Sequence, residues 1–195
     1  MPPDIGTYRV LLVSSSEKMN AAILPLLHDH SCDIVTVCSD AASARRRLSE
    51  EGYDIVIVNA PLPDEFGAQF ALDIGAKTNC GVLFLVRSEH FPETSSRLSP
   101  LGILTVSKPA SQAAFLQSLL LLQATKERLR RMEQSAVNMT EKMEEIRLVN
   151  RAKWLLIEKL GMTEPAAHRY IEKTAMDRCV TKRSVAESVI KTYQT

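Results

Sequence analysis

The residues able to do chemistry fall in two places in this 195-residue chain. The first is a set of residues, all polar but Val86, at the ends of short apolar runs: Ser14 and Ser15 after Tyr8–Val13, Asn59 closing Asp54–Asn59, Val86 closing Val82–Val86 with Arg87 after it, and Lys108 after Ile103–Val106. If those runs are parallel strands, these residues gather at one end of a sheet, where α/β folds bind ligands or receive signals. The second is a basic C-terminal segment. Arg147, Arg151 and Trp154 follow each other at four- and three-residue spacing, which puts them on one helical face. His168, Arg169 and Lys173 lie on the expected polar side of a second helix, and Arg178, Lys182 and Arg183 surround the turn before a third. Lys182 and Arg183 stand near a helix N-terminus, where positive charge is unfavourable unless an anion such as phosphate binds there. Trp154 can stack on a nucleobase or pack against the second helix, and helical packing is the favoured expectation.

Net charge alone would miss this segment. The chain carries 24 Lys+Arg and 23 Asp+Glu, for a net charge of +1. Residues 1–111 hold 9 basic and 13 acidic groups, residues 112–146 hold 5 and 5, and residues 147–195 hold 10 and 5. A basic end on a chain that is acidic at the other suggests divided labour, with a polyanion partner for the basic part. No Ser/His/Asp or Cys/His set suggests catalysis. Cys32, Cys38, Cys80 and Cys179 form no Cys-x-x-C pair and no ligand cluster with the four histidines, so free thiols in a reducing cytoplasm are expected, with no metal and no cofactor. No apolar run reaches the roughly 18 residues that cross a bilayer, and the N-terminus lacks a basic or apolar leader. A cytoplasmic protein without a membrane partner is expected.

The elements that must position these residues follow from periodicity. The short β-rich runs, with Asp33–Cys38 as another, alternate with helical segments at 18–28, 39–50 and 66–76. This pattern predicts a five-stranded parallel sheet, doubly wound in the flavodoxin-like manner. From Ser111 to Leu160 there is no proline and no glycine, so one helix of about 75 Å is expected. A heptad register puts Phe115, Leu122, Leu129, Ala136, Met143 and Asn150 at a, and Ser118, Thr125, Met132, Met139, Ile146 and Lys153 at d. Apolar a/d positions predict a parallel homodimeric coiled coil seamed by Leu122, Leu129, Met132, Ala136, Met139, Met143 and Ile146. The alternative is a helix folded back on its own domain, and Leu119 and Leu120 can pack on the sheet. Gly161 is then a C-terminal cap, Thr163 and Thr181 are N-caps, and two short helices complete a three-helix module. Their expected inward residues are Ala167, Tyr170 or Ile171, Thr174 and Ala175, then Val185, Val189 and Ile190. The fold class is thus α/β plus all-α, with domains at 1–121, 122–146 (the coiled-coil linker) and 147–195.

Two resemblances sharpen the reading. Residues 7–121 resemble the receiver domain of bacterial response regulators: Asn59-Ala-Pro-Leu-Pro63-Asp-Glu-Phe-Gly67 has the family's Pro four and Gly eight residues after the phosphorylated position, and Lys108-Pro109 matches the pair after the fifth strand. The resemblance implies that Asn59 replaces the phosphorylated Asp, Ser14 and Ser15 replace the Mg²⁺-holding acids, and Val86 and Thr105 replace the switch residues. Phosphoryl transfer to a side chain needs a carboxylate nucleophile, and Mg²⁺ needs carboxylate oxygens. The expectation is a non-phosphorylatable pseudo-receiver that serves protein contacts or ligand sensing, with phosphorylation at Asp64 as the weaker alternative. Residues 138–191 resemble the ANTAR domain, the RNA-binding module of transcription antitermination regulators. The match runs through Arg151-Ala-Lys153-Trp154-Leu-Leu-Ile-Glu-Lys-Leu-Gly161, Ala167-His-Arg-Tyr-Ile171, Ala175-Met176 and Arg183-Ser-Val-Ala186; many relatives have Gly where Trp154 stands. It implies a dimer that binds stem-loops in a nascent leader transcript and blocks a terminator hairpin, with Lys153 the most direct candidate contact. The competing readings are a DNA-binding response regulator and a protein-interaction adaptor.

Overall fold

A computed structural model describes residues 7–32 and 34–193. It contains five strands, β1 (Arg9–Val13), β2 (Ile34–Cys38), β3 (Ile55–Asn59), β4 (Gly81–Arg87) and β5 (Leu104–Lys108), and seven helices, α1 (Glu17–His28), α2 (Ala41–Glu50), α3 (Ala68–Lys77), α4 (Phe91–Leu98), α5 (Gln112–Leu160), α6 (Glu164–Asp177) and α7 (Lys182–Tyr193). Asp33, where the second strand was expected to begin, lies outside the described residues, as do the first six and last two positions of the expected domains. The chain divides into two compact units, 1–129 and 130–195.

In the first unit the sheet is parallel with order β2-β1-β3-β4-β5. The central strand β3 is buried at every position because both faces of the sheet are covered. One face packs Val56, Val58, Phe84 and Val86 against Ala41, Ala44, Phe70, Ala71, Ile74 and Leu98. The other packs Leu12, Ile55, Ile57 and Leu85 against Ile23 and Leu27 of α1 and Phe115, Leu119 and Leu122 of α5. Gly67 caps α3 at a φ of +94°, and a Cβ there would crowd Val58 and Leu62, so a side chain would be both strained and crowded.

Two expectations change here. Leu122 is not a seam residue: it is 4% exposed, lies in the core of the first unit, and packs tightly over Gly81. Its heptad position matched only because a sheet and a partner helix reward the same apolar spacing. Leu119 is fully buried as anticipated, whereas Leu120 is half exposed. The second change is α4, in a stretch to which the sequence assigned no element. A single 3-10 turn (Ser88–His90) leads into it, and it buries only Thr94 and Leu98, too few positions to write a helical period.

The second unit takes the last part of α5 with α6 and α7. Its core is Ala152, Leu156, Ala167, Ile171, Ala175, Val185, Ala186 and Val189. Ala152 is four residues from Leu156, and Ala167 and Ala175 are each four residues from Ile171, so small side chains flank both large ones on the inner faces. Ile171 rather than Tyr170 faces inward, Thr174 is only partly covered, and Ile190 packs at the margin. Gly161 ends α5 at a φ of +65°, and Thr163 and Thr181 stand at the N-termini of α6 and α7, where the Thr181 hydroxyl accepts the Ser184 N–H.

Candidate nucleic-acid interface and the receiver site

The C-terminal ends of β1, β3 and β5 bring Ser14, Asn59 and Lys108 together. Asn59, 6% exposed, donates from Nδ2 to Ser14 Oγ at 3.0 Å. The Lys108 ammonium donates to Asn59 Oδ1 and to the Ala60 carbonyl. An ammonium has no lone pair, so the amide must turn its oxygen to Lys108 and its nitrogen to the serine. Ser14 Oγ also accepts the Ser16 N–H, while Ser15 is exposed and Val86 is buried in the core. Thr105 lies on β5 opposite Phe84. Lys108 is held below its ordinary 10.5, first by burial and then by the nearby Arg87. The cluster offers neutral oxygens and an ammonium. Mg²⁺ prefers carboxylate oxygens and is repelled by that charge, so these residues do not fit the ion. Asp64 is committed elsewhere. Its two oxygens accept the N–H groups of Ala41 (3.0 Å) and Ala42 (2.9 Å), which satisfies the open end of α2 and holds its carboxyl below the usual 3.8.

The candidate contact residues of the second unit fall into two classes. Lys153 is mostly covered and donates to Glu164 at 2.8 Å, which lowers the Glu164 pKa. Lys182 donates to Glu172 at 2.6 Å, and His168 stands 3.3 Å from the same carboxylate. Arg183 pairs with Glu187 at 2.9 Å and approaches Glu144 at 3.9 Å. The positive charges at the start of α7 are thus compensated by carboxylates of the chain itself. A bound phosphate is not needed to explain them.

Arg147, Arg151, Arg169, Lys173 and Arg178 are different. All five are exposed, and none forms an ion pair with another described residue. Trp154 is 70% exposed. The favoured expectation that it packs against the second helix is therefore wrong: Ala152 and Leu156 face the core, and Trp154 lies on the opposite, solvent-facing side with the arginines. The seam candidates Leu129, Met132, Ala136, Met139, Met143 and Ile146 are likewise exposed. Glu144, Glu164, Glu172 and Glu187 were not expected from the sequence as ion-pair partners. Arg183–Glu187 and His168–Glu172 had a local signal, at i,i+4; the Lys153 and Lys182 pairs join residues 11 and 10 positions apart across turns.

The ANTAR domain model matches residues 138–190. The transcriptional regulatory protein PdtaR of Mycobacterium tuberculosis strain H37Rv is 27% identical over 187 residues, spanning 96% of this chain and 91% of PdtaR. The first unit has the fold of a signal receiver domain from an HD domain-containing protein of Pseudomonas fluorescens (TM-score 0.57, 21% identity, 64% of this chain and 93% of that one). It also resembles the chemotaxis response regulator CheY4 of Vibrio cholerae (TM-score 0.52, 20% identity, 60% and 98%).

Proposed function

We propose that this chain, an ANTAR response regulator with a receiver-like domain, is an RNA-binding transcription antitermination regulator that binds stem-loops in a nascent leader transcript and keeps a terminator from forming. The observation that carries the reading is the exposed set Arg147, Arg151, Arg169, Lys173 and Arg178, unpaired with any described carboxylate, on the unit that matches the ANTAR domain. Guanidinium and ammonium groups bind phosphates, and bases splayed in hairpin loops supply the sequence. The paired Lys153, Lys182 and Arg183 support the helix arrangement, and Lys153 reaches RNA only by leaving Glu164.

The apolar row from Leu129 to Ile146 supports a parallel homodimer, since a lone helix gains nothing by exposing it to water. A dimer presents two modules and gains avidity for two linked stem-loops. The Asn59–Ser14–Lys108 cluster supports a receiver-like domain that does not accept a phosphoryl group, leaving its control to a partner protein or a ligand. The test pairs light scattering of the full chain with mobility shifts on two-hairpin RNA. A dimer that shifts RNA, with Arg151→Ala weakening the shift more than Lys182→Ala, is the expected result. A monomer that binds no RNA at moderate salt overturns the proposal.

A further inference from the structure

Trp154 is the chain's single tryptophan and among its most exposed large apolar side chains. Tryptophan is large and usually highly buried, so an indole in water needs a reason. Its own unit does not cover it, since the core beneath α5 is closed by Ala152 and Leu156. A coiled-coil partner does not reach it well either. The heptad row loses its apolar character at Asn150 and Lys153, one turn before and next to Trp154, and Lys153 is tied to Glu164. The neighbours it does have on its face are Arg147 and Arg151, two exposed guanidiniums one and two turns back along α5. An aromatic plane beside cationic groups that grip a backbone is the composition of a nucleobase-stacking platform.

We infer that Trp154 is a base-stacking subsite: its indole receives one unpaired base of a hairpin loop while Arg147 and Arg151 hold the flanking phosphates. This rests on the RNA-binding reading above and adds what that reading lacks, the surface that selects loops over continuous duplex. A duplex keeps its bases stacked on each other and offers the indole no free face. A loop base offers one.

Trp154 reports on itself, because all tryptophan emission of the chain comes from it. The full-length protein is titrated with a pool of two-hairpin RNAs of randomised loop sequence, with binding read separately by anisotropy of a label on the RNA. Expected is quenching of Trp154 emission in step with binding, and no quenching by the same hairpins with abasic loops. Trp154→Ala should weaken binding by about 5- to 150-fold, the range for loss of one stacked base, while Trp154→Phe keeps most of the affinity. Thermal melts of both variants should match the parent, because the side chain is outside the core. Binding with unchanged Trp154 emission overturns the stacking subsite and leaves the RNA reading standing. Emission that changes with protein concentration alone, and not with RNA, overturns it in favour of a dimer contact. No binding of any hairpin overturns the RNA reading, and the subsite with it.

Discussion

Removing Arg151 should change how binding depends on salt, and removing Lys182 should not. Each phosphate neutralised by a protein cation releases counterions, so log K falls with log salt by about 0.7 to 0.9 per contact. If Arg147, Arg151, Arg169, Lys173 and Arg178 all meet phosphates, one module has a slope of about −3.5 to −4.5. At a slope of −4, affinity drops about 250-fold between 50 and 200 mM salt; with Arg151→Ala the slope becomes about −3.2 and the drop about 80-fold. Lys182 already spends its charge on Glu172 at 2.6 Å. Its removal trades an internal pair for a free carboxylate and leaves the count of released ions unchanged. Anisotropy of a labelled hairpin across a salt series reads both slopes. A slope flattened by one contact in Lys182→Ala and left intact in Arg151→Ala would refute this assignment of paired and unpaired cations.

Ile171→Ala should destabilise the helical unit by about 2–5 kcal/mol, because the side chain is 1% exposed at the centre of its core; chemical denaturation followed by circular dichroism should show the loss, and a change below about 0.5 kcal/mol, the scale of surface substitutions, would contradict the packing. Asn59→Asp should put a carboxylate beside the Lys108 ammonium yet yield no phosphoaspartate with acetyl phosphate and Mg²⁺, since Ser14 and Ser15 remain neutral; a mass increase of one phosphoryl group would refute this. Stability should fall on acidification below about pH 4.5. Glu164 and Glu172 are held below their ordinary 4.5 by Lys153 and Lys182, and Asp64 below its ordinary 3.8 by backbone N–H groups. A carboxyl with a lowered folded pKa stabilises fully above its unfolded pKa, and that contribution is lost as pH falls through the folded one. Thermal melts between about pH 3 and 6 check it, and Lys182→Ala should flatten the profile.

The strands were legible because a strand buried on both faces is written as an unbroken apolar run, as in Ile55–Val58, and two helix ends because Gly161 takes a positive φ and the Thr181 hydroxyl accepts the Ser184 N–H. The α4 segment was not, since a helix that buries two side chains leaves almost no period. Leu122 shows a different limit: spacing tells which face is apolar and not what covers it. The same limit misplaced Trp154. Its spacing put it with Arg147 and Arg151, but only the fold showed that this face turns to solvent. The charge gradient found the basic unit. It could not divide that unit into paired and unpaired cations, because Lys153–Glu164 and Lys182–Glu172 form across turns whose geometry the sequence does not specify.

The most direct test of RNA recognition is a competition at about 150 mM salt, near physiological ionic strength, between a randomised two-hairpin RNA pool and duplex DNA of the same length. Repeated selection should enrich hairpins sharing a loop sequence, and duplex DNA should fail to displace them. Displacement by duplex DNA at equal concentration, with no loop sequence enriched, would contradict it.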